Sequence, residues 1–322
     1  MPADDAPPRV TVLMGVYDGE AYLAEAIRSI LEQTFADFEF LIVDDGSTDS
    51  SRQIVESFPD PRIRLLVRPN RGLAASLREG IELARGEYVA RQDADDVSLP
   101  SRLERQVALL DSDPEVGLVG SNYVHIDLQG RPVGGTKLFT HEDDLKVAQI
   151  VSNQFGHGSV MIRKRVLDVV GSYDPGVYTE DYDLFARIGH AAKTVNIGEP
   201  LYLWRRNPVG TTFSNRPHQL EQSFVIRDRE FRRLLERRDD YRVFSSFHPL
   251  SFHSGALDYL VKKSNLLRGL AYLYRLDGEQ GAALRMQLAA TALAPWRRVN
   301  YACLWRLLVV PSGDPPWEYE AV

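Results

Sequence analysis

Short apolar runs alternate with amphipathic segments through the first 120 residues, and three of the runs stop at a polar or acidic cluster. Val10–Gly15, Phe38–Val43, Ile63–Val67, Tyr88–Arg91 and Val116–Gly120 read as strands buried inside a sheet. Between them, Leu23, Ala26, Ile27, Ile30 and Leu31 recur at helical spacing within Gly19–Phe35. Ser50–Phe58 reads as a second helix, and Leu73, Leu77, Ile81 and Ala84 line one face of a third, with Gly86 placed to cap it. Pro100 suits the first turn of a fourth. This alternation predicts an α/β fold, a mostly parallel sheet with helices on both faces.

In an open sheet of this kind, ligands bind outside the carboxyl ends of the strands. Those ends carry Tyr17-Asp18, Asp44-Asp45 and Asp93-Ala94-Asp95-Asp96. Carboxylates gathered at one rim repel each other unless a cation or donor groups compensate. A hard divalent ion is the simplest compensator, and magnesium tends to take one or two protein carboxylates together with substrate phosphates. Each cluster also has a plainer reading. Residues 44–49 can be turn chemistry with a helix N-cap, and residues 93–96 a loop whose charge suits the next helix dipole. Both clusters at strand ends, about 50 residues apart, favour a site.

Past Ser121 the pattern loosens. Strands are expected at Tyr123–Leu128, Gly158–Ile162, Thr194–Ile197 and Leu201–Arg205, and helices at Glu142–Val151, Lys164–Val170 and Asp181–Gly189. From about Gln219 the chain reads as helical, over Glu221–Arg238, Gly255–Tyr274, Gly278–Ala294 and Tyr301–Val310. Ser245–Ser254, with Pro249, is the linker candidate. The expected domains are therefore 1–244, comprising halves of about 9–120 and 121–220, and a helical extension over 245–322.

At 322 residues, 44% hydrophobic and 26% charged, the chain has enough apolar side chain for a sizeable core. The single Cys303 excludes a disulfide framework and a Cys-built metal site. A net charge of -7 disfavours nucleic acid as a partner. No apolar run reaches the roughly 18 residues that span a bilayer, and the polar, proline-rich Met1–Arg9 does not read as a signal peptide. The expected compartment is the cytoplasm. Charge is uneven: residues 225–322 hold 15 Lys and Arg against 11 Asp and Glu, although acidic residues outnumber basic ones, 45 to 38, in the whole chain.

The segments VTVLMGVYDGEAYLAEAIRSILEQTFADFEFLIVDDGSTD, NRGLAASLREGIELARGEYVARQDADD and TEDYDLFARI resemble the family 2 glycosyltransferases in motif, order and spacing over about residues 9–215. The resemblance implies the GT-A fold, a mixed sheet flanked by helices, and transfer of a sugar from a nucleotide-sugar donor with inversion. It implies that Val16, Tyr17 and Asp45 hold the base and ribose, with Asp18 beside them and Asp44 as second choice. Arg78 falls in a segment that often reaches the base or phosphates. Asp93-Ala94-Asp95 matches the Asp-x-Asp motif, whose last Asp commonly meets the metal, and Asp96 fits that role one residue on. Thr179-Glu180-Asp181 matches the segment carrying the general base, most often the Asp. The chain departs from the family pattern at Gly15, where Pro is frequent, and at Asp18, where Asn is common. It also lacks a His in Trp204-Arg205-Arg206-Asn207, where family members often have one near the diphosphate.

This chemistry needs few groups. A divalent cation, Mn2+ or Mg2+, held by Asp95 or Asp96 with Asp93 beside them would stabilise charge building on the leaving diphosphate. Arg205 or Arg206 could add bidentate phosphate contacts. A single carboxylate, Asp181, can take the proton of the attacking hydroxyl. The plainer reading of Glu180, Asp181 and Asp183 is favourable charge in the first turn of a helix. His157 and Trp204 are candidates for the acceptor side, or core residues. His218 and the run Arg227–Arg238 read as a solvated helix face.

The implied acceptor is a glycan or lipid-linked hydroxyl, and the first choice of donor is a UDP-sugar. Residues 255–310 mix Lys262, Lys263, Arg268, Arg275, Arg285, Arg297 and Arg298 with Trp296, Tyr301 and Trp305. That composition suits either an appendage that packs on the catalytic domain or forms a homodimer, or a segment lying on the inner face of an anionic membrane. A nucleotidyltransferase is the competing enzyme, but the loop Gly15-Val16-Tyr17-Asp18-Gly19-Glu20 lacks the basic residue its phosphate loop requires. A non-catalytic sugar-nucleotide-binding partner is the other alternative, and the presence of both motifs argues against it.

Overall fold

A computed structural model of the chain describes residues 6–140, 142–208, 210 and 280–293, with scattered positions between 218 and 271. The first half runs β1 (Val10–Val16), α1 (Leu23–Leu31), β2 (Phe38–Asp44), α2 (Ser51–Glu56), β3 (Ile63–Val67), α3 (Leu73–Leu83) and β4 (Tyr88–Asp93). These four strands are parallel, in the order β3-β2-β1-β4. The register sets Val16 opposite Asp44 and Gly15 opposite Asp93, so the three carboxyl ends meet at one rim.

The second half makes the sheet mixed rather than mostly parallel. It comprises β5 (Val97–Ser98), α4 (Arg102–Ser112), β6 (Val116–Ile126), β7 (Pro132–Thr136), α5 (Glu142–Val151), β8 (Met161–Arg163), α6 (Lys164–Val170), α7 (Glu180–Ala191) and β9 (Lys193–Arg205). β8 lies antiparallel between β4 and β6, β9 runs parallel to β6, and β5 and β7 add antiparallel pairs to β9 and β6. A core of Val12, Met14, Phe40, Ile42, Tyr88 and Ala90 packs with Leu23, Ile27 and Ile30 of α1 and with Leu103 and Leu110 of α4. Each fully buried Leu or Ile contributes about 1.5–3 kcal/mol relative to exposure.

Several elements differ from expectation. Val116–Gly120 and the expected Tyr123–Leu128 merge into the single strand β6, which stops at Ile126, and the two late strands fuse into β9. β9 carries Gly198 and Pro200 through irregular pairing with β6, where the register shifts around Asn122. Gly158–Ile162 resolves into a 3-10 turn, His157–Ser159, followed by β8. Gly86 does not cap α3, because the helix ends at Ala84 in extended backbone. Instead a Cβ at Gly86 would collide with the Thr11 backbone nitrogen, and the Gly86 N–H donates to Thr11 Oγ1 at 2.9 Å.

The chain divides into two compact units, Met1–Ile226 and Arg227–Val322. The division falls before residue 244; Ile226 is buried against Tyr182 and Ala186 of α7. In the second unit a helix spans Gln280–Leu293, and Ser264 Oγ donates to Ala290 O at 2.9 Å. The expected linker 245–254, the expected helix 301–310, Lys262, Lys263, Arg275, Trp296, Arg297, Arg298 and Cys303 lie outside the described residues. So does most of 255–274, and 221–238 is described only in part. No helix among the described residues is long and apolar enough to cross a membrane.

Candidate active site

The end of β1 presents Tyr17 exposed (54%) beside a rim in which Asp44, Asp45 and Asp96 are buried. Asp18 takes a left-handed backbone, φ 47°, and its carboxylate accepts the N–H of Thr48 at 2.7 Å and that of Asp49 at 3.3 Å. Asp44 Oδ1 accepts the N–H of Ser47 at 2.8 Å. These two acids therefore shape the turn 44–49, the plainer of the two readings. Asp45 is buried and saturated: Oδ1 accepts from Arg71 N at 2.9 Å and Arg68 Nε at 3.1 Å, and Oδ2 from Gly72 N at 2.7 Å. Its carboxylate joins β2 to the segment leading into α3. Arg78 stands on the exposed side of α3, paired with Glu82 at 3.3 Å.

At the end of β4, Asp93 Oδ1 accepts from Arg91 Nη2 at 2.7 Å, and its N–H donates to the Tyr202 hydroxyl at 3.2 Å. Ala94 packs partly buried on the core. Asp95 Oδ2 accepts from Asn207 Nδ2 at 3.1 Å. Asp96 Oδ1 accepts the Arg205 N–H at 2.7 Å, while its buried Oδ2 has no hydrogen-bond partner among the described residues. Burial, then the neighbouring acids, push the carboxyls of Asp95 and Asp96 above the ordinary range. Acids held this way attract a cation. No three His, Cys, Asp or Glu side chains among the described residues converge to chelate a metal alone. The donor set fits an ion held by one carboxylate and completed by phosphate oxygens.

Of the two arginines expected at the phosphates, Arg205 is engaged within the protein. Its guanidinium is buried, donating to Glu25 Oε2 at 2.7 Å, Asp95 O at 2.8 Å and Asp127 O at 3.2 Å, and lies 4.4 Å over the Tyr22 ring. It ties β9 to α1 and to the acidic loop. Arg206 is exposed. Trp204 meets His125 edge-to-face at 5.1 Å. His218 stacks on Tyr178 at 5.3 Å.

The first turn of α7 brings Glu180 and Asp181 to the same place, both within electrostatic range of Asp93 and Arg91. Asp181 Oδ2 accepts from Asn153 Nδ2 at 2.8 Å, and Oδ1 accepts from Tyr182 N at 2.7 Å. Burial, and for Glu180 also the Asp181 charge, push these carboxyls up, to about 8 at Glu180 and about 6 at Asp181. His157 is packed beneath: Nε2 is 3.0 Å from the Tyr173 hydroxyl and Nδ1 is 3.9 Å from Glu180. Burial and the nearby Arg91 push the imidazole down to about 3, so it is neutral.

The sequence reading missed Arg91, Asn153, Tyr173 and Tyr202. Arg91 left a signal, a cation inside a strand whose preceding residues are buried on both sides.

Comparison with known proteins decides the family. The glycosyl transferase family 2 profile matches residues 11–170. The amylovoran biosynthesis glycosyltransferase AmsE of Erwinia amylovora is 31% identical over 59% of this chain and 71% of its own length. Glycosyltransferase GlyG of Streptococcus pneumoniae is 30% identical over 61% of this chain and 70% of its own. The chain belongs to glycosyl transferase family 2. Solved structures agree on the fold of this transferase. S. aureus TarS, crystallised with UDP-GlcNAc, aligns at TM-score 0.59 and 18% identity over 92% of this chain and 91% of its own. The mannosyltransferase PcManGT of Pyrobaculum calidifontis, in complex with GDP-Man and Mn2+, aligns at 0.54 and 20% identity over 96% and 88%. The transferase has the GT-A architecture, α/β with a mixed sheet flanked by helices.

Proposed function

We propose that this glycosyltransferase moves a sugar from a nucleoside-diphosphate donor, UDP-linked in first choice, to an acceptor hydroxyl with inversion in a single displacement. The observation that carries this is the meeting of two acidic groups from distant parts of the chain. Asp93-Ala94-Asp95 arrives from β4 and Asp181 from α7, close enough to act on each other's charge. In this reading Val16 and Tyr17 receive the base, Tyr17 offering an exposed ring for stacking, while Asp45 keeps the wall of the nucleotide pocket in shape. Asp95 holds a divalent cation, Mn2+ or Mg2+, with Asp93 and Asp96 behind it. The cation supplies Lewis-acid stabilisation of the departing diphosphate. Arg206 replaces the expected Arg pair at the phosphates.

Asp181 takes the proton of the attacking hydroxyl, and its raised pKa brings it nearer the working pH than an ordinary aspartate. Glu180, His157 and Trp204 line the acceptor side. The TarS and PcManGT complexes with UDP-GlcNAc, and with GDP-Man and Mn2+, support the donor class, and the naming of AmsE for amylovoran biosynthesis supports a glycan product. The product proposed here is a surface polysaccharide or glycolipid. A lipid-linked acceptor would bring the transferase to the cytoplasmic face of a membrane, where residues 255–310 have the composition to meet anionic headgroups.

The test is a thermal-shift panel of UDP, GDP, dTDP and CMP with and without Mn2+. Binding to the folded state alone stabilises by about 2.7 kcal/mol at 100 times the dissociation constant. A Mn2+-dependent shift with one nucleoside diphosphate is expected. No shift with any at millimolar concentration would overturn the reading.

A further inference from the structure

Among the described residues, one side chain from outside α7 grips Asp181: Asn153, which no sequence motif marked. Asn153 Nδ2 donates to Asp181 Oδ2 at 2.8 Å, and its own Oδ1 accepts the Phe155 N–H at 3.1 Å. The second bond fixes which end of the amide faces Asp181, so the group presented there is a donor. With the Tyr182 N–H on Oδ1, both carboxylate oxygens carry a donor and the plane is set. The terminal torsion of an aspartate is otherwise soft.

The segment carrying Asn153 is held by other means. Asn196 Nδ2 donates to Gln154 O at 2.9 Å, the Gln154 N–H reaches Gln149 Oε1 at 2.8 Å, and Phe155 is buried. The Tyr182 hydroxyl donates to Gln149 O at 2.8 Å, tying α7 to the end of α5. The Nδ2 donor of Asn153 is therefore not needed to form the loop.

We propose that Asn153 is the positioning residue of the base: its amide holds the Asp181 carboxylate in one plane and favours its charged form, leaving the free lone pairs for the acceptor hydroxyl. This rests on the reading of Asp181 as the base. The groups acting on Asp181 are Glu180 on its own helix, Asp93 and Arg91 from β4, Tyr123 from β6 and Tyr173 from the segment before α7. Four of these five are acids or phenols that disfavour a second negative charge, and the amide of Asn153 works against them.

The experiment uses the full chain labelled with 13C at the aspartate carboxyls, in Mg2+, with the Asp181 resonance assigned by its loss in Asp181→Asn. Asn153→Ala is expected to raise the Asp181 titration by about one pH unit. Asn153→Asp, which keeps the acceptor for Phe155 N–H but replaces the donor with a second carboxylate, is expected to raise it further. Thermal unfolding of both variants should stay within a few degrees of the parent. The second measurement is nucleoside diphosphate release, with water as acceptor, from UDP-GlcNAc, UDP-glucose, UDP-galactose or GDP-mannose with Mg2+. On whichever donor turns over, both variants should lose kcat at least tenfold with donor KM within twofold. An unmoved Asp181 titration in both variants would overturn the proposal. Full turnover in Asp181→Asn would instead overturn the base assignment, while the titration still reads the Asn153 contact.

Discussion

Asp93 and Gly158 touch so closely that a Cβ built on the glycine would stand 2.5 Å from Asp93 Oδ2 and would also strike the Tyr202 hydroxyl. Glycine at 158 is what allows the 3-10 turn to lie against the acidic rim. Gly158→Ala is expected to destabilise the chain by about 1–3 kcal/mol, as overpacking of a tight site does. It should also weaken Mn2+-dependent donor binding, because Asp93 and Tyr202 must both shift. Paired thermal unfolding and calorimetric titration read the two effects; unchanged donor affinity would show that this contact does not shape the site.

Asp181→Asn keeps the shape of the carboxylate and removes its basicity. Transfer is expected to fall about 10²–10⁴-fold with donor affinity retained. A chromatographic assay of transfer and a separate donor-binding titration make the comparison, and loss of donor binding would move Asp181 out of the base role.

Arg205 and Arg206 should separate cleanly. Arg205→Ala removes a buried guanidinium that donates to the Asp95 carbonyl and lies over Tyr22, while Glu25 returns to water; the cost is about 1–3 kcal/mol. Arg206→Ala, at an exposed position, should leave stability within about 0.5 kcal/mol and raise donor KM. Chemical denaturation with steady-state kinetics distinguishes them, and the reverse pattern would restore Arg205 as the phosphate ligand.

Stability and activity should respond to pH with opposite signs. The carboxyls of Glu180 and Asp181 titrate higher in the folded state than in the unfolded chain, to about 8 and about 6. The folded state thus binds more protons across that window, and stability, full below the unfolded values near 4, falls as pH rises through the folded ones. Transfer needs Asp181 ionised, so its rate should climb through about pH 6 while the melting temperature declines. Glu180→Gln should flatten the decline between pH 6 and 8. Melting curves across a pH series check this, and an equally steep decline in the variant would locate the effect elsewhere.

Removal of divalent ions with EDTA should abolish transfer, and added Mn2+ or Mg2+ should restore it. Asp95→Asn should bind nucleotide with metal dependence lost. Metal-independent turnover would leave the acidic rim without its proposed occupant.

The parallel half of the fold was legible because its strands are apolar along their length and end where polarity returns; β3 spans Ile63–Val67 as expected, and α5 and α6 match too. The second half hides its strands. β7 contains Pro132 and two glycines, residues that argue against a strand, and it is held by pairing with β6. β9 keeps one course through Gly198 and Pro200 because β6 absorbs the misfit in shifted register. In the site, residue type was readable and allegiance was not. Asp44 and Asp45 are adjacent and identical, yet one closes a turn and the other anchors Arg68, Arg71 and Gly72, a division set by partners 20 or more residues away. Arg205 and Arg206 are likewise indistinguishable until Glu25 and Asp127 arrive beside one of them.

Arg102, wholly buried at the start of α4, donates to Gln92 Oε1, Ser98 Oγ, Gln106 Oε1, Arg91 O and Val160 O, and burial pulls its guanidinium down to about 10. Those acceptors come from β4, β5, α4 and the approach to β8. A half-assembled chain has no home for this cation, since each missing acceptor leaves a desolvated N–H behind. The four segments should therefore gain amide-exchange protection together or not at all, and the acidic rim they frame would come into being in one step with them.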